Sequence, residues 1–228
     1  SFEIILLPGF EEGFRSATYH TAEHKHFRVS NIIVPCANNH PKCSGVRSFK
    51  TRKDAYEIEK RYSDTIFPPS YKIDEPFGYY AWGATWQMIH KGNYIQTIRA
   101  RPEARKWVRS WLKKECGDKK PIVITLREHH YQPERNSDIR ETTAFLSSLD
   151  AGEYAPVIIR DHEASLGEVP EEIQQFTICP FAPWNIDFRT ALYELAYIAM
   201  FINNGPWLLG VFNDAVNCVV TKLATDEV

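Results

Sequence analysis

The sequence predicts an α/β protein with a parallel, Rossmann-like sheet, and three observations carry that expectation. Apolar runs of strand length recur at 122–126, 156–159 and 199–202. Such unbroken runs are what strands buried on both faces look like. Stretches with helical spacing of apolar residues separate them, and strand–helix alternation at this interval implies parallel strands joined by right-handed crossovers. Each run also stops on polar groups: Arg127, Glu128, His129 and His130 after the first, Arg160, Asp161, His162 and Glu163 after the second, Asn203, Asn204, Gly205 and Pro206 after the third. Open α/β sheets meet their ligands at the carboxyl ends of strands, so these ends point to an anion or nucleotide site.

Taken in order, residues 2–7 and 29–34 read as buried strands, each ending at or near a proline. Residues 50–62 read as a polar helix, and 64–71, with Pro68 and Pro69, as a loop. The segment 79–89 is rich in aromatic residues, whose commoner fate is core packing, although Tyr79, Tyr80, Trp82 and Trp86 could stack on sugar faces. Gly92 is placed to end a helix. Pro102 and Glu103 suit the first turn of the next helix, which buries Trp107, Val108, Trp111 and Leu112 at helical spacing. Strand 122–127 follows. A helix then opens on Asp138 with Glu141 three residues on, carrying Ile139, Thr142, Leu146 and Leu149 on one face. Strands at 156–160 and 175–179 come next. Asp187 is expected to cap a helix with Phe188, Ala191, Leu192, Leu195 and Ile198 inward and Arg189, Tyr193, Glu194 and Tyr197 on its polar side. Strand 199–202, a short helix from Pro206 and a strand at 218–221 close the series.

Bulk properties bound the function. The chain has 228 residues, long enough for one large domain or two small ones. A net charge of -2 offers no cationic field for nucleic acid. No run of 18 apolar residues occurs, so no membrane-spanning segment is expected. The five cysteines, Cys36, Cys43, Cys116, Cys179 and Cys218, have no metal-type or paired spacing, which fits reduced thiols in a cytoplasmic protein. Ser1 leads at once into strand-like sequence, as in an excerpt from a longer protein. Charge divides the chain: residues 91–120 hold ten Lys/Arg against three Asp/Glu, whereas 141–187 hold nine Asp/Glu and only Arg160. The turn 117–120 lies between, and is read as the linker between a domain at 1–116 and another at 117–228.

Several residues could carry chemistry. Arg127 can grip phosphate oxygens with a fork of donors, or pair with Glu128 or Asp161. Arg135 could extend an anion site, while Asn136 and Ser137 suit helix capping. Asn204, Gly205 and Pro206 could shape a phosphate-binding turn ahead of a helix, or be an ordinary strand-to-helix turn. Glu194 could accept ribose hydroxyls, or pair with Arg189 or Arg160. Glu12, Glu128 and His129 compete as general base. Neighbouring side chains on an extended strand point to opposite sides, so His129 and His130 are not expected to share a metal ion, and no metal is expected elsewhere. The glycines at 9 and 13 do not form a dinucleotide fingerprint.

The order of Ile122 to Arg127, Arg135 to Ser137, Val157 to Asp161, Asp187 to Glu194 and Asn203 to Pro206 resembles the carboxy-terminal domain of GT-B glycosyltransferases, in the style of bacterial proteins related to the fucosyltransferase and heptosyltransferase groups. The resemblance covers residues 121–228 well and 1–116 only in outline. It implies an α/β protein of two Rossmann-like domains with parallel sheets, the first facing the acceptor and the second holding a nucleotide sugar. It also implies a metal-independent enzyme of carbohydrate metabolism with no cofactor beyond its nucleotide-sugar co-substrate, acting on a glycan-type acceptor. Arg127 would contact the diphosphate, Asn204, Gly205 and Pro206 would form the phosphate loop, and Glu194 would meet the ribose. Arg135, Asp161 and Arg189 complete the donor-site candidates. A nucleotide-sugar epimerase-like enzyme, or a non-catalytic sugar- or nucleotide-binding domain, would share the architecture.

Overall fold

A computed structural model describes residues 1–7, 26–67, 71–74, 90–91, 97–130 and 132–222. The chain divides into two compact units, Ser1–Gln96 and Thr97–Val228. In the first, β1 (Phe2–Leu6) pairs in parallel with β2 (Cys43–Ser48), and Ser44 Oγ donates to Phe2 O at 2.9 Å. Residues 29–34 are not a strand. Val29–Ile33 forms a π-helical turn that runs into helix α1 (Val34–Asn38). Pro35 supplies no N–H to a sheet ladder but fits the first turn of a helix, which explains the departure from the apolar pattern. The polar stretch near 50–62 is helical over Tyr56–Tyr62 (α2), preceded by a 3₁₀ turn at Lys53–Ala55. The aromatic stretch 79–89, Gly92 and Glu12 lie outside the described residues.

The second unit is a parallel α/β fold. Its five strands are β3 (Lys120–Thr125), β4 (Tyr154–Ile159), β5 (Thr177–Ile178), β6 (Ile198–Ile202) and β7 (Cys218–Lys222), in the spatial order β5-β4-β3-β6-β7. Every pairing is parallel. The central runs are sealed on both faces: Val123, Val157, Ile158 and Ile159 are fully buried, and burying each such side chain is worth about 1.5–3 kcal/mol.

Alternation along β3 assigns the two faces. Ile124 and Leu126 join Ile158, Ile173 and Leu146 of helix α4 (Ile139–Ser148) in one cluster, with Ile139 and Leu149 packed against it. Thr125 faces the other way, and its Oγ1 shares a 2.7 Å hydrogen bond with Tyr193 OH of helix α5 (Ile186–Leu195). Asp138 caps α4 as expected, accepting from Arg140 N at 2.8 Å and Glu141 N at 3.1 Å. Helix α5 differs from its sequence reading. Asn185 is its cap, accepting from Phe188 N at 2.9 Å, while Asp187 in the first turn pairs with Arg101. Seven of its ten residues are buried, among them Arg189 and Tyr193, because helix α3 (Pro102–Cys116) covers the face that would otherwise be wet. The same packing places α3 within the compact unit Thr97–Val228. Val108 and Leu112 are buried as anticipated, but Trp107 stays 45% exposed while its ring edges onto Phe188 at 4.7 Å.

Helix α6 (Trp207–Val211) lies against β6 and β7 through Gly210. A Cβ there would stand 2.8 Å from Phe201 Cε2 and 3.3 Å from Cys218 Sγ. Phe201 is buried and has no room to swing aside. Gly210→Ala is therefore expected to destabilise the protein by about 1–3 kcal/mol, read as a lower urea midpoint with unchanged slope. A midpoint equal to that of the parent would contradict this packing.

Candidate active site

In sequence order the sheet runs outward from β3 to β4 and β5, then returns across β3 to β6 and β7. The order reverses between β3 and β6, and open α/β sheets take their ligands at the carboxyl ends of the strands beside such a switch point. Here the loops are 126–137 after β3 and 203–206 after β6.

The first loop is built around Arg127. This side chain is buried, and its Nη1 donates to Gln132 O at 2.7 Å and to Asn136 Oδ1. Ser137 closes the loop, accepting from Arg127 N at 2.9 Å and donating its own N–H to Arg127 O at 3.0 Å. Asn136 holds His129 by both backbone groups, at 3.1 and 3.0 Å. Asn136 and Ser137 thus clamp the loop rather than cap α4, and the guanidinium of Arg127 organises its own loop. Gln132 takes a left-handed conformation, φ 53° and ψ 64°, which costs a residue with a Cβ about 1–2 kcal/mol. Two arginines hold it there, Arg127 on its carbonyl and Arg135 Nη1 on its side-chain Oε1 at 2.7 Å. Non-glycine residues in such conformations concentrate at functional loops.

Arg135 is the side chain that crosses the switch point. Its Nη2 donates to Asn203 O at 2.8 Å, joining the β3 loop to the β6 loop. Asn204 follows, with its Oδ1 buried and without a hydrogen-bond partner among the described residues. A Cβ on Gly205 would project into open space, so backbone approach from outside meets no side chain. Pro206 precedes α6, which is only five residues long and contributes little dipole to the turn.

A second group lies at the ends of β3 and β4. Arg160 meets Glu128 in a two-pronged ion pair, Nε to Oε1 at 3.0 Å and Nη2 to Oε1 at 2.7 Å, with side chains only 7% and 13% exposed. Glu128 also accepts from Asp161 N at 3.2 Å, and Arg160 Nη1 donates to Glu168 O at 2.9 Å. This pair takes the carboxylate that the sequence offers to Arg127. Burial works to raise the Asp161 carboxyl, but the hydrogen bonds and charge of His162 outweigh it and hold Asp161 below the ordinary aspartate value. His129 is pushed below the usual imidazole value, mainly by burial, which outweighs the pull of Glu163 and Asp161.

The rings of His129 and His130 stack at 4.4 Å, with planes 24° apart. The expectation that they point to opposite sides fails because β3 ends at Thr125, and the alternation of an extended strand ends with it.

Two expected members stand apart from both groups. Arg189 turns into the interior and donates its Nε to Ala182 O at 2.7 Å. Glu194, with a side chain 1% exposed, accepts from Ala100 N at 2.7 Å and Asn213 Nδ2 at 2.9 Å and faces Arg105. It sits in the last turn of α5. A helix between parallel strands runs back against them, so that turn lies at the amino rim of the sheet, away from the switch point. A hollow of about 560 Å³ also lies at that rim, beside Gly117, Lys119, Lys120 and Glu153.

Sequence reading missed Gln132, and it named Asn203 and Glu163 at the strand ends without giving either a separate role. Register could have singled out Glu163: Thr125 pairs with Ile159, so residues four beyond each strand leave the sheet side by side.

No protein-family model and no curated protein matches this chain. Among solved structures it is similar to the crystal structure of the glycosyl transferase family 9 from Veillonella parvula DSM 2008, with a TM-score of 0.57 and 11% sequence identity, over 84% of this chain and 74% of that one. At that identity the likeness is one of fold, an α/β architecture with parallel strands.

Proposed function

We propose that this protein is a glycosyltransferase that moves a sugar from a nucleotide-diphosphate donor to a glycan-type acceptor. The reading is supported by the fold likeness to a solved glycosyl transferase and by a single local observation, the Arg135 guanidinium laid across the switch point onto Asn203. A departing nucleoside diphosphate gains negative charge as the glycosidic bond breaks. Fixed cationic groups and backbone amides at the switch point stabilise that charge without reorganising.

Arg135 is assigned to the diphosphate, with Asn204, Gly205 and Pro206 as the facing wall. Arg127 acts indirectly by holding the loop that carries Arg135 and His129. His129 is the base assigned to the acceptor hydroxyl. Burial favours its neutral imidazole, the form that takes a proton. Glu128 is left out of this role because its carboxylate is occupied by Arg160.

A thermal-shift screen with UDP, GDP, ADP and CMP compounds tests the donor site. The matching nucleotide at 100-fold over its dissociation constant is expected to stabilise the protein by about 2.7 kcal/mol, a melting shift of several degrees. Arg135→Ala removes charge-assisted hydrogen bonds and is expected to weaken that nucleotide about 10–100-fold while the unliganded protein still melts cooperatively. Failure of all four nucleotide classes, or unchanged affinity in Arg135→Ala, would sink the proposal. Turnover of a nucleotide sugar without acceptor would convert it to an epimerase-like reaction.

A further inference from the structure

We propose that His129, His130 and Glu163 form a binding site for a divalent transition-metal ion, with Zn²⁺ the best match to their chemistry. One ligand atom from each of the three lies within 4.8 Å of the others. His130 Nδ1 and Glu163 Oε2 are 3.5 Å apart. Ligand atoms at about 2.0–2.1 Å from a tetrahedral zinc ion are spaced by roughly 3.4 Å, so this pair already stands at coordinating distance. Bringing all three ligand atoms onto one ion requires the His130 ring to turn out of its stack on His129, so that both in-plane lone pairs meet at one point, and this is a rotation open to the exposed His130 and Glu163 side chains.

The topology explains why these residues meet. Strands β3 and β4 are parallel neighbours in register, and the loops leave them side by side, bringing residues 129 and 163 to the same rim. The site is also supported from behind. Asn136 fixes the backbone of His129 on both sides. His162 Nε2 lies 3.8 Å from Glu163 Oε1, while its Nδ1 is held at 3.2 Å by Asp161 Oδ1. The Asn136 bonds fix the backbone from which His129 projects, while His162 stands beside Glu163 without a hydrogen bond to it.

Two imidazoles and a carboxylate suit zinc, copper or nickel, whereas magnesium and calcium seek oxygen-only shells. Three protein ligands leave a fourth position for water or an oxygen of a bound molecule, the arrangement of a reactive rather than a purely structural zinc site. The inference does not depend on the glycosyltransferase reading, since it concerns binding of the metal alone; with the ion bound His129 is a ligand, and the base role assigned to it above belongs to the metal-free protein.

The full chain, dialysed free of chelators, would be titrated with Zn²⁺ in competition with a chromophoric chelator, and separately with Co²⁺ while the visible spectrum is recorded. One equivalent per chain is expected, with cobalt bands lacking the intense near-ultraviolet absorption of thiolate ligands. His130→Ala and the nearly isosteric Glu163→Gln are each expected to weaken binding roughly 10–100-fold, with metal-free melting unchanged because both side chains are exposed. Absence of stoichiometric binding, thiolate-type cobalt spectra, or parental affinity in Glu163→Gln would each overturn the assignment.

Discussion

Glu128→Ala is expected to lower the free energy of unfolding by about 3–5 kcal/mol, a large part of the stability of an ordinary domain. The reason is what remains behind. Arg160 is almost wholly enclosed, and with Glu128 gone its guanidinium keeps, among the described residues, the carbonyl oxygens of Glu168 at 2.9 Å and Gly167 at 3.3 Å. Urea unfolding of Glu128→Ala beside a Glu128→Leu/Arg160→Met double variant separates the pair from its parts. The double variant is expected to recover most of the loss, since it buries no unbalanced charge. The contrast also bears on catalysis. A carboxylate that served as general base would leave stability intact and abolish turnover. A Glu128→Ala protein with the parental urea midpoint and no activity would restore Glu128 to the list of bases.

Phe188→Ala should be comparably costly, about 3–5 kcal/mol. Its ring has no solvent exposure and sits among Trp107, Trp111 and Phe181 at centroid distances of 4.7, 5.7 and 5.3 Å. Those rings belong to α3 and to the segment before α5, so no single element can shift to refill the space, and the cavity persists. Near-ultraviolet circular dichroism should lose intensity as the tryptophans lose their fixed surroundings, and the urea midpoint should fall. Phe188→Leu should retain most of the stability. A loss below ~1 kcal/mol for the alanine variant would mean that α3 does not close over α5 as described.

The parallel sheet was legible in the sequence because its evidence is local. A strand buried on both faces must be almost wholly apolar, and 122–126, 156–159 and 199–202 are, with Thr125 the one hydroxyl among them; Asp138 ahead of Ile139 announces a helix start by a contact spanning three residues. What escaped depends on partners distant along the chain. The polar side expected for α5 vanished because α3, about eighty residues earlier, lies over it. Glu128 was offered to Arg127, its neighbour, but belongs to Arg160, thirty-two positions on. Residues 29–34 illustrate the opposite limit, since a short apolar run of that length does not separate strand from helix. At the candidate site, the strand ends were placed by pattern, whereas the geometry within them was not. Which arginine crosses to the neighbouring loop depends on a left-handed turn at Gln132, a position where no glycine or asparagine advertises it.

The bond from Arg135 to Asn203 has a thermodynamic corollary. Two separate peptide segments follow β3 and β6, and this one guanidinium ties them together. The entropy lost in immobilising them is charged to folding, not to capture of a guest, so the donor proposed for this site would meet walls already set and would retain more of its contact energy as affinity.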